Sequence, residues 1–232
     1  MIYYNVCYVC YYFKIIFILS LFPKRKSRYN GSKKAIVSIF KGGSVMLVKD
    51  KMTSELFVVS PDTLAPNALK LMKDGRFRRL PVVQDEKVVG IVTDRELRDA
   101  PSPDAVVAEV MHKHPVTIQE DDLIETAALV MRNNKVGALP VMRGKTLVGI
   151  ITESDIFDTF IDMMGMRGPG RRLPLLLPDV AGSLATVTRI ISGFGCNIRN
   201  IGYFGEGELF IRLEDGDIEG AATALKMAGY LK

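Results

Sequence analysis

The sequence is poor in the residues that most often carry catalysis, bind metals or cross-link a chain. Its 232 residues include no tryptophan, two histidines and three cysteines. Three cysteines cannot build a disulfide framework, which favours a reducing compartment such as the cytoplasm. Two histidines, His112 and His114, are too few for most zinc sites. No nucleophile, general-base or paired-carboxylate motif is visible. We therefore expect a protein that is not an enzyme and uses neither a metal nor a catalytic cofactor.

Acidic residues are missing from the first 45 positions. Residues 1–45 contain eight of the 31 Lys and Arg residues and none of the 26 Asp and Glu residues. Residues 46–232 therefore carry 23 basic and 26 acidic side chains, a net charge of −3. The overall charge of +5 would suggest a nucleic-acid partner, but it comes from the head alone. We expect no nucleic-acid binding by the rest of the chain.

The basic head, residues 1–45, has two main interpretations. Residues 2–22 are apolar over a length that can just span a bilayer, and the basic cluster in residues 23–26 would be cytoplasmic by the positive-inside rule. Alternatively, codons for Lys41-Gly42-Gly43 can spell a ribosome-binding sequence just before a start codon at Met46, in which case the head is not translated. We favour the misplaced start and keep the membrane anchor as the alternative.

An internal repeat is the strongest feature of the sequence. Sliding the chain on itself so that Met52 falls on Met111 superposes two segments without a gap as far as Leu97. Further matched pairs are Asp62 and Asp121, Leu64 and Leu123, Ala68 and Ala127, Leu80-Pro81-Val82 and Leu139-Pro140-Val141, Val89-Gly90-Ile91 and Val148-Gly149-Ile150, and Thr93 and Thr152. A constant offset through so many positions indicates two copies of one structural unit.

Each copy predicts the element order β-α-β-β-α. A short extended piece leads to a helix with one apolar face, and the helix has suitable N-caps at Asp62-Thr63 in the first copy and Asp121-Asp122 in the second. Gly75 is a suitable helix stop. Two strands joined by a turn then lead to Thr93 or Thr152, where a closing helix begins.

These repeated motifs resemble the cystathionine-β-synthase (CBS) domain, above all in the segments 80–83, 90–97 and 149–156. Two tandem copies, residues 46–100 and 105–165, resemble a Bateman module. The resemblance implies an α+β (mixed α/β) fold in which two units pack through their sheets around a pseudo-two-fold axis. It also implies a homodimer with two clefts for an adenosine-containing regulatory ligand such as AMP, ADP or ATP.

The start of each closing helix supplies the first candidate ligand contacts. Thr152 offers a hydroxyl and free backbone N–H groups, which suit a phosphate, and Asp155 lies on the same face, where it can accept bonds from ribose hydroxyls. The same spacing is typical of a capping box, in which both side chains satisfy the backbone. In the first copy Glu96 stands with Thr93, and its extra methylene reaches into the ribose space. There we favour the cap, so we expect unequal clefts.

Basic and small residues complete the predicted clefts. Arg78 and Lys135 are candidate phosphate contacts, and Gly137-Ala138 is small enough for a purine ring to approach the backbone. Arg76 and Arg79 belong to the same group of cations, and all four equally fit a solvated face. His112-Lys113-His114 is interpreted as an exposed junction rather than a metal site.

The last third predicts a separate small unit. After a linker at residues 166–171, residues 172–232 predict the order β-α-β-β-α, with a helix over Leu184–Ile191 capped by Ser183. This segment resembles the ACT domain, a ferredoxin-like regulatory module. The resemblance implies a possible amino-acid ligand near Gly182, although a glycine there also serves simply to turn the chain.

Two CBS units followed by an ACT domain resemble the family of the acetoin-utilisation protein AcuB, from Met46 to Lys232. The resemblance implies a cytoplasmic regulatory protein that binds an adenine nucleotide and controls a partner allosterically. Two alternatives remain at this stage. One is a regulatory subunit of a transporter, tethered to the inner membrane through residues 2–22, and the other is a dimerisation scaffold whose clefts hold no ligand.

Overall fold

The structure of the protein is a computed structural model that describes residues 46–231. The predictions of a misplaced start and of a membrane anchor concern residues 1–45, which lie outside that range. Between Met46 and Leu231, no helix has both the length and the apolar character needed to cross a membrane.

Two successive units with one element order occupy residues 46–163. The first contains helices α1 (Ala65–Gly75) and α2 (Asp94–Arg98) and strands β1 (Arg79–Gln84) and β2 (Lys87–Thr93). A short helix α3 (Val107–Val110) and strand β3 (His112–Lys113) connect it to the second. The second contains strands β4 (Ile118–Gln119), β5 (Ala138–Arg143) and β6 (Thr146–Thr152) and helices α4 (Ile124–Asn134) and α5 (Glu153–Met163).

The repeat extends to the details of strand pairing. In the antiparallel hairpin β1–β2, Arg79 is opposite Thr93, and in β5–β6, Ala138 is opposite Thr152. Each hairpin also contains a register shift at the same place, after Val82 in the first and after Val141 in the second. The two units are therefore equivalent copies, as the constant sequence offset predicts.

The segment that leads into each unit packs on the other unit. Val48, from the first leading segment, is fully buried in the core of the second unit, and the equivalent Val107 is buried in the core of the first. Backbone pairing shows the same exchange of leading segments between the units. Strand β3, which leads into the second unit, pairs with β2 of the first, and Thr53, which leads into the first unit, pairs with Ile150 of β6 in the second. Both units are thereby tied together by backbone hydrogen bonds as well as by apolar burial.

The helix starts differ from the sequence prediction. The N-caps of α1 and α4 are Leu64 and Leu123, not Asp62-Thr63 and Asp121-Asp122. The first helical N–H groups are satisfied by backbone carbonyls of the exchanged segments, at 2.8 Å for Ala65 N to Ala105 O, so no side-chain cap is needed. The Thr63 hydroxyl instead accepts a bond from Ser60 N at 3.1 Å, in the turn before the helix.

The ends of α1 and α4 carry a basic residue in the left-handed conformation. Helix α1 ends at Gly75, as predicted, but the left-handed residue is Arg76, with φ 56°. Lys135 takes the same position after α4, with φ 55°. A left-handed non-glycine residue is uncommon and costs about 1–2 kcal/mol, so this backbone geometry is a fixed feature of the repeat.

The C-terminal unit is a three-stranded antiparallel sheet with two helices. Its elements are β7 (Arg171–Leu176), α6 (Ser183–Gly193), β8 (Asn197–Gly205), β9 (Glu208–Glu214) and α7 (Ile218–Met227). The strand order is β7-β9-β8, and Leu231 forms a bridge with Leu175 on the free side of β7. The first strand thus begins at Arg171, one residue inside the predicted linker.

One predicted cap in this unit is wrong. The N-cap of α6 is Gly182, with φ 94°, and Ser183 is the first helical residue. The Ser183 hydroxyl donates instead to the carbonyls of Pro178 and Val180, both at 2.9 Å. Because an L-residue rarely adopts that φ, glycine is the residue that lets the chain enter the helix here.

Candidate functional site

Two clefts lie between the two repeated units. We call cleft A the one that contains Thr93 and Glu96, and cleft B the one that contains Thr152 and Asp155. Their volumes are about 580 Å³ and 540 Å³. Each volume falls in the range of small-molecule binding sites in proteins. The near-equal volumes follow from the repeat, so the chemical differences between the clefts come from their side chains.

Each cleft combines a motif of one unit with the helix end of the other. Lys135 and Gly137, from the second unit, lie in cleft A with Thr93. Arg76, from the first unit, lies in cleft B with Thr152. Arg78 and Arg79 line both clefts. The structure therefore brings most predicted site residues into two groups, and it divides them across the units in a way that the sequence order does not indicate.

Thr152 and Asp155 in cleft B form a capping box. The Asp155 Oδ2 atom accepts bonds from the Thr152 backbone N–H at 2.7 Å and from the Thr152 hydroxyl at 2.8 Å. Among the described residues, the Oδ1 atom of Asp155 accepts no hydrogen bond. The cap and the ligand interpretations are thus compatible, because one carboxylate oxygen fixes the side chain while the other is left to accept a bond from a ligand.

Glu96 in cleft A is held more completely. Its Oε2 atom accepts bonds from the Thr93 backbone N–H, at 2.9 Å, and from the Thr93 hydroxyl. Its Oε1 atom lies 3.3 Å from Nε2 of His112. Burial of the Glu96 carboxyl opposes its ionisation, but the bonds from Thr93 and His112 outweigh burial and lower the pKa of Glu96. Both oxygens therefore have protein partners.

Arg79 lies where the two clefts meet. Its Nη2 atom is 3.8 Å from Oε2 of Glu153, at the start of α5. A Cβ atom placed on Gly137 would come within 2.2 Å of that same Nη2 atom. Glycine at 137 therefore makes room for the guanidinium. The residue equivalent to Arg79 in the second unit is Ala138, so the repeat does not supply a second guanidinium at this position.

The sequence singled out some residues that play no part in the clefts and overlooked others. Gly182 lines neither cleft, since it lies at the start of α6 in the C-terminal unit. His112, interpreted as an exposed junction, contacts Glu96, and its equivalent Thr53 lines cleft B. The repeat offset relates these two positions and was the signal available to find them. Within residues 46–231, no three His, Cys, Asp or Glu side chains are grouped as metal ligands would be.

Two solved structures resemble part of the chain. CBSX2, solved in complex with AMP, is 28% identical, covers 50% of this chain and 97% of its own, and superposes with a TM-score of 0.47. A candidate acetoin utilization protein (AcuB) from Vibrio cholerae is 29% identical, covers 53% of this chain and 96% of its own, and has a TM-score of 0.48.

The family is shown by the sequence matches. The CBS domain model matches residues 48–102 and 107–162. A CBS domain-containing protein from Dictyostelium discoideum is 37% identical over an alignment of 136 residues, and the match covers 51% of this chain and 94% of that protein. The residues that the family model matches fall on the two repeated units that enclose clefts A and B. The chain therefore belongs to the family of CBS domain-containing proteins.

Proposed function

We propose that the protein is a cytoplasmic regulatory sensor that binds an adenine nucleotide, AMP, ADP or ATP, between its CBS units and controls a partner allosterically. The observation that carries the proposal is the Asp155 carboxylate, which is anchored through one oxygen by Thr152 while the other is unengaged by any described residue. An anchored acceptor at the wall of a cleft of this volume suits the paired hydroxyls of a ribose. The small number of cysteines supports a reducing compartment.

Phosphate recognition is supported by the start of α5 and by nearby cations. Helix α5 is 11 residues long, and the residues at its N-terminus, from Thr152 to Asp155, line cleft B. Its dipole favours an anion there, and Arg76, Arg78 and Arg79 line the same cleft. The cleft thus offers groups for both the ribose and the phosphate of one nucleotide.

A flat apolar wall in cleft B supports binding of the base. Phe57 and Phe77 both line the cleft, and their rings stack with centroids 5.0 Å apart. Phe57 is 51% exposed. An exposed aromatic face of this kind is worth about 1–3 kcal/mol when a nucleobase stacks on it. Among the described residues that line cleft A, there is no equivalent pair of rings.

The C-terminal unit is proposed to be an ACT-like regulatory module that adds a second input. Its β7-β9-β8 order, with Leu231 next to β7, supports this assignment, because it is the order of a ferredoxin-like sheet. We propose that an amino-acid ligand binds near Gly182. A Cβ atom placed on Gly182 would meet no atom of the described residues within 4 Å, apart from its own chain neighbours.

Helix α5 supplies a physical connection between cleft B and the C-terminal unit. The helix begins beside Thr152, and the carbonyl of its last residue, Met163, accepts a hydrogen bond from Nδ2 of Asn200 in β8. The chain after it is also held, since Nη1 of Arg212 donates to Gly170 O at 3.2 Å. A ligand that displaces the start of α5 would therefore act on a helix whose other end is fixed to the proposed ACT-like module.

A homodimer is the proposed working form. The outer face of α5 exposes Phe157 and Phe160, whose rings stack 6.2 Å apart, and Met163 follows on the same side. A second copy of the chain would remove this apolar surface from water. Allosteric control then requires that the nucleotide bind one arrangement of the two protomers more tightly than another.

The test is a thermal-shift panel of AMP, ADP and ATP on the full-length chain. At about 100 times Kd a nucleotide stabilises the folded state by roughly 2.7 kcal/mol, and we expect Asp155→Ala to reduce the shift that AMP produces. Asp158→Ala is the matched control, because Asp158 lies one turn further along α5 and pairs with Arg167 outside both clefts. Absence of any shift in the wild type would favour a scaffold with empty clefts, and an undiminished AMP shift in Asp155→Ala would refute the site.

A further inference from the structure

The two clefts differ sharply in charge, although they are equivalent by the repeat. The cationic side chains that line cleft A are Arg78, Arg79, Arg95, Lys113 and Lys135. Those of cleft B are Arg76, Arg78 and Arg79. The acidic side chains are two in cleft A, Asp94 and Glu96, and three in cleft B, Glu55, Glu153 and Asp155. With histidine neutral, the described lining residues give cleft A a net charge of +3 and cleft B a net charge of zero.

The acidic groups of cleft A are already engaged. Asp94 pairs with Arg98 at 2.9 Å, on the same helix and outside the cleft lining. Glu96 is held by Thr93 and His112. In contrast, Arg95, Lys113 and Lys135 form no ion pair with any other residue in the described range 46–231. The excess positive charge of cleft A is therefore available to a ligand.

Cleft B lacks this excess of positive charge. Glu55 occupies the position equivalent to His114, and Ser154 the position equivalent to Arg95. Arg79, which lines both clefts, has its nearest acidic partner, Glu153, on the side of cleft B. The three carboxylates of cleft B cancel the charge of its three arginines, so a second or third phosphate there would gain little attraction and would lie near like charges, which repel it.

The carboxylates that could hold a ribose complete the difference. Asp155 keeps one oxygen for a ligand in cleft B, whereas both oxygens of Glu96 have protein partners in cleft A. Binding in cleft B therefore draws mainly on ribose and base, and binding in cleft A mainly on phosphate charge. We propose that the clefts sort adenosine ligands by charge: cleft A takes a nucleotide with two or more phosphates, and cleft B takes one with a single phosphate or none.

This inference rests on the proposed function, and calorimetry on the full-length chain separates the two. The probes are ADP and adenosine, which differ only in the diphosphate. We expect the double variant Lys113→Ala/Lys135→Asn to weaken ADP binding by about tenfold or more, since a hydrogen bond to a charged group is worth about 1.5–3 kcal/mol. Adenosine affinity should stay within about twofold, a change of roughly 0.4 kcal/mol. Asparagine tolerates the left-handed backbone at position 135.

A control variant and a measurement of salt dependence complete the test. Lys145→Asn removes one charge from the exposed β5–β6 turn, outside both clefts, and should leave both affinities unchanged. Raising the salt concentration should weaken ADP binding far more than adenosine binding.

If Asp155→Ala weakens ADP binding more than the double lysine variant does, ADP occupies cleft B and the inference is overturned. If the lysine variant weakens both ligands equally, charge sorting is wrong while nucleotide binding stands. If neither ligand binds the wild type, the proposed function itself fails.

Discussion

The Nε2 atom of His112 lies 3.3 Å from Oε1 of Glu96, across the wall of cleft A. His112 comes from the segment that connects the two units, and Glu96 from the closing helix of the first unit. The contact engages the one carboxylate oxygen that Thr93 leaves available. In cleft B the equivalent residues are Thr53 and Asp155, and no such contact occupies the carboxylate. The contact between His112 and Glu96 is therefore the main chemical difference between the ribose-binding groups of the two clefts.

Shortening the carboxylate should make cleft A more like cleft B. In Glu96→Asp the side chain loses a methylene and the contact with His112, so that an oxygen becomes available to a ribose. We expect adenosine to bind cleft A more tightly by about tenfold or more, the value of one hydrogen bond to a charged group. The reciprocal Asp155→Glu should weaken adenosine binding in cleft B. Calorimetry with adenosine measures both, and weaker binding in Glu96→Asp would contradict the assignment.

The lowered pKa of Glu96 predicts a contribution to stability that depends on pH. Because the pKa is lowered in the folded state, the contribution is fully present above the unfolded value, about 4.3, and is lost as the pH falls through the folded value. Glu96→Gln should therefore lower the urea midpoint at pH 7 and lower it less at pH 3.5. His112→Ala should retain part of the dependence, since the bonds from Thr93 remain. An equal difference at both pH values would show that Glu96 is not the titrating group.

The equivalent core leucines should be equally important. Leu80 and Leu139 occupy the same position in β1 and β5, and their exposed fractions are 1% and 0%. We expect Leu80→Ala and Leu139→Ala each to lower the free energy of unfolding by about 2–5 kcal/mol, measured by urea denaturation. Leu129→Ala, on the exposed side of α4, is the control and should cost less than about 0.5 kcal/mol. A loss in only one of the two core variants would argue against equivalent packing.

Two glycines of the C-terminal unit should respond in opposite ways to alanine. A Cβ atom on Gly216, with φ 60°, would lie 2.5 Å from the backbone of Gly195, which cannot move aside. Gly216→Ala should therefore destabilise this unit by more than about 1 kcal/mol. A Cβ atom on Gly193 meets nothing within 4 Å in a helix, so Gly193→Ala should be neutral or stabilising by up to about 1 kcal/mol. Thermal unfolding of both variants decides, and a neutral Gly216→Ala would refute the tight contact.

The thiol of Cys196 should be unreactive in the folded protein. Burial of the side chain, with Asp217 and Asp215 nearby, raises the pKa of Cys196. Because the thiolate is the reactive form, alkylation of Cys196 by iodoacetamide at pH 8 should be slow in buffer. It should be fast in about 8 M urea, which unfolds the protein and exposes the thiol. Peptide mass spectrometry follows Cys196 separately from the other cysteines. Fast labelling in buffer would show that the start of β8 opens readily.

The sequence alone determined the repeat, and with it most of the local structure. The offset that matches Met52 to Met111 also relates Thr93 to Thr152, and the structure places both threonines at the start of a helix after a strand. These features depend on the local pattern of apolar residues and turns, which is visible along the chain. The predicted N-caps at Asp62-Thr63 and Asp121-Asp122 were wrong because backbone carbonyls of distant segments satisfy those helix starts.

Only the tertiary structure decided which residues share a cleft. The sequence offers Lys135 and Gly137 close to Thr152, but the fold places them with Thr93, because each leading segment and each helix end faces the opposite unit. It also decided that Arg79 lies between the clefts, that His112 contacts Glu96, and that the two clefts differ in charge. Such pairings depend on how two copies of one unit pack against each other. A sequence repeat shows that the two copies share a local structure, but it does not show which of their faces are in contact.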